Sequence, residues 1–362
     1  MTQLALDQHS TLEQWLAYLE TLHPKEIDMG LARIQSVAQQ LQLDQLHALK
    51  IVVGGTNGKG STCAMLEAIL LAAGYKVGLY TSPHLLRYNE RIRINGINAT
   101  DEVITRQFAR IDAARGDISL SYFEFATLAA LLAFAEARLD VMVLEVGLGG
   151  RLDAVNIIDA DCSIITSVDI DHTEYLGDDR EQIAWEKAHI FRADKPAICA
   201  DPIPPAKIKA YADIIGADLW QFGVDFNYSG DAQQWAFAGR EQRRSALAYP
   251  ALRGVNQLLN ASAVLAALEA LRFQLVVPAS AIREGLLRAT VPGRMQILPG
   301  QPTEIFDVAH NPHAAGALAQ NLPQMPSTPG AKTIAVVGVF KDKDVKAVIQ
   351  RLLPVVDIWI CA

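Results

Sequence analysis

Lys50–Thr62 reads KIVVGGTNGKGST, and this stretch decides the fold. Three β-formers, Ile51, Val52 and Val53, run into Gly54, Gly55, Gly58 and Gly60, with Lys59 among them, and an amphipathic segment follows at once. Glycines let backbone N–H groups converge on phosphate oxygens without Cβ obstruction, a helix N-terminus adds positive potential, and the lysine supplies a mobile point charge. The pattern is that of a nucleoside triphosphate loop. Its spacing departs from the usual one: the position six before Lys59 is Val53 rather than glycine, and Gly60 separates the lysine from Ser61.

Outward from this loop, apolar strands alternate with helical patterns. Thr62–Ala73 reads as a helix, Lys76–Tyr80 as a strand, Tyr122–Arg138 as a helix, and Val141–Val146, Ser163–Ser167 and Pro196–Ala200 as strands. Near-continuous apolar strands between helices predict an α/β fold with a parallel sheet covered on both faces. The nucleotide site then lies at the carboxyl ends of the strands. Residues 219–250, with Trp220, Phe222, Phe226, Tyr228, Trp235 and Phe237 among polar residues, read as a β insertion or edge. Helices over Asn256–Ala270 and Ala279–Ala289 close a first domain, 1–293. A second, smaller Rossmann-like α/β domain, 294–362, is expected to contain strands Glu304–Val308, Thr333–Val339 and Asp357–Cys361 in one thin sheet, with helices Ala314–Leu322 and Val345–Leu353.

The chain has 362 residues, half of them hydrophobic, with a net charge of −8. That length suits two domains, and the acidic balance argues against nucleic acid or an anionic membrane as main partner. Cys63, Cys162, Cys199 and Cys361 show neither CxxC nor metal-ligand spacing and read as reduced core residues. With no signal-like N-terminus and no apolar run of spanning length, a cytoplasmic protein is expected.

Phosphoryl chemistry needs a divalent metal, so hard ligands at strand ends matter. Ser82 follows Lys76–Tyr80 in TSPH, Glu145 ends a strand in LEVGLGG, and His172 follows Ser163–Ser167 in DIDHTEYLG. Read singly, each has an ordinary explanation: a turn, a charge after a strand, a loop histidine. Lys187 in AWEKAHIF, read alone, is a surface helix lysine.

The string GTNGKGST, Gly55–Thr62, resembles the ATP loop of the Mur ligase superfamily, and most closely its folylpolyglutamate synthase and dihydrofolate synthase branch. The later motifs EKAHIF and FDVAHNPHA, in the expected order, carry the same resemblance. It implies ATP contacts at Asn57, Gly58, Lys59, Gly60, Ser61, Asn260, Arg294 and Asp307, with His310 orienting the same loop. It further implies Mg²⁺ at Ser82, Glu145 and His172, and a Lys187 carbamylated by CO₂, with Lys59, Lys187 and His172 catalytic. Pteroate contacts are implied at Asp28, Met29, Gly30 and Leu31, at Ser121, Tyr122, Phe123 and Glu124, and at Leu152, Asp153 and Ala154. One departure stands out: Val155 precedes Asn156 where the branch usually has threonine.

The resemblance therefore implies a ligase that uses ATP to join L-glutamate to dihydropteroate and to reduced folates through an acyl phosphate, in a monomer. Because the branch continues past the last strand seen here, the second domain is expected to be incomplete. The alternatives are a folylpolyglutamate synthase alone, or a truncated, non-ligating P-loop ATP-binding protein. A peptidoglycan-type ligase fits less well, because the segment before the loop is too short for a UDP-binding domain.

Overall fold

The computed structural model describes residues 6–25, 27–231, 233–325, 330–340 and 343–362. Eight strands form the main sheet: β1 Leu49–Gly54, β2 Val77–Tyr80, β3 Ile92–Ile94, β4 Ile97–Asn98, β5 Val141–Glu145, β6 Cys162–Ile165, β7 Pro196–Cys199 and β8 Asp218–Gln221. Their order is β4-β3-β2-β5-β1-β6-β7-β8. All neighbours pair in parallel except β2 with β3 and β3 with β4, which form an antiparallel edge.

Alternation along the strands sorts side chains to two cores, because successive residues point to opposite faces. Val52, Met142 and Leu144 face one way and pack with Trp15, Phe108 and Phe125, from the helices Leu12–Leu22, Asp101–Arg115 and Tyr122–Ala137. Ile51, Val53, Val141 and Val143 face the other way, towards the helices Lys59–Ala72, Gln257–Ala270 and Ala279–Arg288. Both faces are covered, as the continuous apolar strands predict.

Two expectations need correction. Residues 219–250 are not one unit: β8, with Trp220, joins the main sheet in parallel, and only Asn227–Gly230, Trp235–Ala238 and Arg243–Leu247 form a separate three-stranded antiparallel sheet. Trp220 is buried in the second core, so burial rather than local pattern assigns that strand. In the second domain the three expected strands do not share a sheet. Glu304–Phe306 pairs antiparallel with Gln296–Leu298, which the sequence reading left out, whereas Ile334–Val337 and Ile358–Cys361 form a parallel pair. The short link between the first two strands, residues 299–303, favours a hairpin over a crossover. The parallel pair is backed by a small cluster centred on Ala315, Val348 and Leu352, and leaves Ile334, Val336, Ile358 and Ile360 exposed.

Helix ends also shift slightly. The helix after the nucleotide loop starts at Lys59 rather than Thr62, because Gly58 at φ 90° forms its N-cap and puts the lysine into the first turn.

The helix Ala279–Arg288 approaches Lys59–Ala72 at a glycine. A Cβ on Gly285 would meet the Ile69 backbone at 2.4 Å from Cα and 2.5 Å from N, atoms that have no rotamer to move into. We expect Gly285→Ala to lower the unfolding free energy by about 1–3 kcal/mol, read as a drop in the urea midpoint; an unchanged midpoint would contradict this contact.

Candidate active site

The parallel register around β1 assembles the site. Val53 pairs with Glu145 of β5, and Gly54 pairs with Ile165 of β6, so three loops emerge at one sheet edge. The loop at residues 55–58 is braced from beneath. Thr166 Oγ1 donates to Asn57 O at 2.6 Å, Ser167 Oγ accepts from Asn57 N at 3.1 Å, and Thr56 N donates to Ser167 O at 2.8 Å. Gly55 at φ 135° and Gly58 at φ 90° have no room for a side chain: a Cβ would fall 2.0 Å from Thr166 Oγ1 and 2.6 Å from Asn260 Oδ1, respectively. Glycine is therefore required twice over, by conformation and by space. Lys59, Gly60 and Ser61 occupy the first helical turn, where N–H groups lack intrahelical acceptors and are available to an anion. The Lys59 ammonium donates to Gly55 O at 3.0 Å and Thr56 O at 3.2 Å, folded back over its own loop.

Glu145 is 5% exposed and has no ion pair among the described residues. Burial pushes its carboxyl up; Lys59, the Ser82 amide, Arg294 and Arg91 pull the other way. Ser82 N donates to Glu145 Oε2 at 3.2 Å, so Ser82 and Glu145 are brought together. A Cβ on Gly60 would sit 4.0 Å from both Glu145 oxygens, so that carboxylate faces the start of the loop helix.

His172 caps a short helix in left-handed backbone at φ 50°. Burial lowers its pKa to about 4; Asp171 opposes this, while Lys343, Lys59 and Lys187 add to it. The ring is therefore neutral at pH 7 and keeps a lone pair for a ligand. Among the described residues no three His, Cys, Asp or Glu side chains cluster to hold a metal by themselves. The donor set, a buried carboxylate, a hydroxyl and a neutral imidazole, fits Mg²⁺ only if phosphate oxygens complete it.

Lys187 is not the surface lysine its local sequence suggests. It is 4% exposed within the helix Arg180–Ala188, and no carboxylate among the described residues pairs with it. Burial, reinforced by Lys59 and opposed by Asp171 and Asp153, lowers its amine to about 7.

The second domain meets this edge through residues that sequence reasoning missed. Asn57 Nδ2 contacts Asn311 Oδ1 at 3.4 Å and His313 Nδ1 at 3.0 Å. Asn311 Nδ2 returns to Asn57 Oδ1 and to Asp171 Oδ2, each at 3.1 Å, and Lys343 Nζ lies 3.3 Å from Asp171. Burial pushes the Asp171 carboxyl up, but His310, His172 and Lys343 outweigh it and hold the group well below the usual range. A cleft of about 680 Å³ opens beside this junction, lined in part by His172, Asn256, His310, Lys343 and Arg351. The signal for the junction was present in HNP, an Asn N-cap followed by Pro at the first helical position.

The nucleotide residues expected beyond the loop are spread unevenly. Asn260 is buried against Gly58 and bonds Gln257, which in turn reaches Ser61 Oγ at 3.3 Å. Arg294 stands at the domain junction, and its field reaches Glu145. Asp307 has both oxygens taken by backbone, from Met295 N and Ala309 N at 2.9 Å each, and so braces the hinge.

The pteroate candidates divide in two. Ser121 and Glu124 form the capping box of the helix Tyr122–Ala137. Asp153 accepts from Leu148 N and Val155 N, and burial raises it to about 6 against the pull of those amides. Ala154 is buried. Ser121, Glu124 and Asp153 hold loops in place. Met29, Tyr122, Phe123 and Leu152 remain partly exposed and form walls, with the Phe123 ring packed over Gly147. Asp28 and Gly30 lie in the adjacent loop with Leu31; Asp28 pairs with Arg33 at 2.6 Å, and Arg33 reaches Glu124 at 3.2 Å, tying that loop to the helix start.

Residues 53–268 match the Mur ligase middle domain, and residues 293–362 match the Mur ligase glutamate ligase domain. The dihydrofolate synthase/folylpolyglutamate synthase of Escherichia coli K12 is 48% identical over 353 residues, covering 98% of this chain and 82% of that protein. The solved structure of E. coli FolC in complex with DHPP and ADP superposes with a TM-score of 0.95 at 48% identity, covering 99% of this chain and 84% of that one. The Yersinia pestis bifunctional folylpolyglutamate synthase/dihydrofolate synthase complexed with AMPPNP and Mn ion superposes at 0.91 with 46% identity, covering 98% and 84%. No helix among the described residues is long and apolar enough to cross a membrane.

The buried amine predicts a pH signature. Below about pH 7 the folded state must hold a desolvated ammonium that the unfolded state solvates, so the cost is fully present there and is relieved as pH rises from about 7 towards the ordinary lysine value of 10.5. In CO₂-free buffer, we expect the stability advantage of Lys187→Met over the unsubstituted chain to shrink by roughly 1 kcal/mol per pH unit across that window. Parallel denaturation curves at pH 7 and 9 would contradict it.

Proposed function

The chain belongs to the Mur ligase family, in its dihydrofolate synthase/folylpolyglutamate synthase branch, and on that premise we propose that it is an ATP-dependent ligase adding L-glutamate to dihydropteroate and to reduced folates. The observation that carries the reading is the convergence at one sheet edge of the glycine loop, the buried Glu145 and the buried Lys187, with the second domain's Asn311 docked on Asn57.

A carboxylate and an amine do not condense usefully in neutral water, because the carboxylate is a poor electrophile. In the proposed reaction the acid's carboxylate oxygen attacks the γ-phosphorus of ATP, the bond to the β-phosphate oxygen breaks, and ADP leaves an acyl phosphate. The deprotonated amine of glutamate then attacks the carbonyl carbon, the C–O bond to phosphate breaks, and the proton the nitrogen sheds leaves with phosphate as the amide forms. Loop amides from Asn57 to Ser61 hold the β- and γ-phosphates. Lys59 exchanges its two carbonyl partners for phosphate oxygens, an exchange of neutral acceptors for charged ones. Asn260, Arg294 and Asp307 are assigned to the nucleotide from the hinge side. Ser82, Glu145 and His172 are the residues that would hold Mg²⁺, which when bound supplies charge neutralisation during phosphoryl transfer. Lys187, an amine near 7 with no carboxylate partner, is suited to react with CO₂ as the free base, and the carbamate converts a buried cation into an anion beside Lys59. Met29, Tyr122, Phe123 and Leu152 form the apolar walls for a flat pterin, held by Asp28, Gly30, Leu31, Ser121, Glu124, Asp153 and Ala154. Because nucleotide residues lie on both sides of the hinge, closure completes the site and excludes water. We further propose a cytoplasmic monomer.

The deciding measurement is ADP release with Mg-ATP and L-glutamate, with dihydropteroate, with tetrahydrofolate, or with neither. Release that needs an acid and responds to both supports the bifunctional reading; response to tetrahydrofolate alone restricts it to polyglutamylation; release without either acid refutes the ligase. Lys59→Ala and Glu145→Gln are each expected to lower kcat by about 100-fold or more. Lys187→Ala is expected to lose activity and regain part of it in short-chain carboxylates; full activity without them would refute the carbamate.

A further inference from the structure

Arg91 closes the short turn Tyr88–Arg91 that leads into β3, and it is only 9% exposed. Its guanidinium carbon stands 5.5 Å from the ring centres of both Tyr88 and Tyr122, which lie 6.0 Å apart edge to face, so it covers the pair. Nε donates to His84 Nδ1 at 2.8 Å. That is its full hydrogen-bond complement among the described residues: no carboxylate pairs with it, and neither terminal nitrogen donates to protein. Four other shielded arginines differ, although Arg244 and Arg294 also lack an ion pair among the described residues. Arg33, Arg93, Arg115 and Arg192 each meet a carboxylate within 3.2 Å.

A guanidinium this shielded, whose four terminal N–H groups reach solvent without a protein partner, is open to an anion. Two neighbours indicate which anion. Tyr122 opens the helix whose first turn carries the proposed acid pocket, so one face of Arg91 is shared with the pterin site. On the other side its positive field reaches Glu145, where the phosphoryl group is proposed to arrive. His84, in the same loop as Ser82, accepts from Nε through Nδ1 and so aims the fork. The planar, bidentate guanidinium matches a carboxylate, and then the acyl phosphate made from it.

We propose that Arg91 binds the reacting carboxylate of the pterin acid and stabilises the acyl phosphate formed there. The assignment rests on the ligase reading above and adds to it the residue that distinguishes the acid from its uncharged analogues. A purely structural role, packing against Tyr88 and Tyr122, makes a different prediction, because methionine would satisfy it.

The test is equilibrium binding to the full chain, in the presence of ADP, of dihydropteroate and of its decarboxylated analogue, which keeps the pterin and aniline rings. The unsubstituted protein is expected to prefer the acid by tenfold or more. Arg91→Met should bind the two within about twofold of each other, Arg91→Lys should recover part of the preference, and ADP affinity should stay within twofold in both. A folded Arg91→Met that keeps the preference overturns the proposal. Should Arg91→Met lose ADP binding as well, the same ratio in Arg91→Lys decides: an unreduced preference refutes a role for the fork, and a reduced one supports it. An unsubstituted protein that binds neither compound refutes the pterin-acid reading itself, and Arg91's assignment falls with it.

Discussion

Everything at the candidate site depends on the parallel register of β1 between β5 and β6. Because Val53 lies opposite Glu145 and Gly54 opposite Ile165, the nucleotide loop, the buried carboxylate and the bracing hydroxyl of Thr166 leave the sheet at the same height. A slip of one residue would turn Val53 and Val143 out of their core and carry Glu145 with them. The apolar interior therefore fixes the geometry of the polar edge. The loop itself has little freedom left, since Thr166 and Asn260 occupy the space that side chains at Gly55 and Gly58 would need.

Desolvation is the second organising force. Glu145, Lys187 and Arg91 are each almost sealed from water, and none forms an ion pair within the described chain. Charged groups in that state raise the free energy of the empty protein and are relieved by ligands of matching chemistry. By contrast, Asp153 and Asp307 have both oxygens engaged by backbone amides, and Glu124 is tied by the Ser121 amide and by Arg33, so these carboxylates hold loops still whatever ligand they also meet. The difference between a committed and an uncommitted buried charge separates the scaffold from the chemistry more sharply than position in the chain does.

The two domains meet through polar contacts rather than a shared core. Asn57, Asn311 and Asp171 join the nucleotide loop, the first turn of a second-domain helix and the residue before His172 in one hydrogen-bonded cluster. The apolar core of the second domain is small and separate. A junction of this kind opens at low cost, which suits a reaction whose substrates enter before water is excluded.

The strand–helix alternation and glycine spacing were legible in the sequence because each is local: apolar runs of strand length and a loop that only glycine can form determine the sheet class and the nucleotide site. Ser82, Glu145 and His172 were legible as strand-end residues, and the structure brings Ser82 and Glu145 within hydrogen-bond reach. The burial of Lys187 was not legible, because its helix segment carries a polar pattern and its shielding comes from packing far away in sequence. The same holds for Arg91, which local reading passes over as one of several charges in RYNERIRI. Nor could the second domain's strand pairing be read, since short apolar runs carry no information about partner or direction. What the sequence by itself determined was the parallel sheet and the phosphate loop, which follow from residue type and spacing. Only the tertiary structure decided which charges are left without a counter-ion, because desolvation is a property of everything packed around a residue.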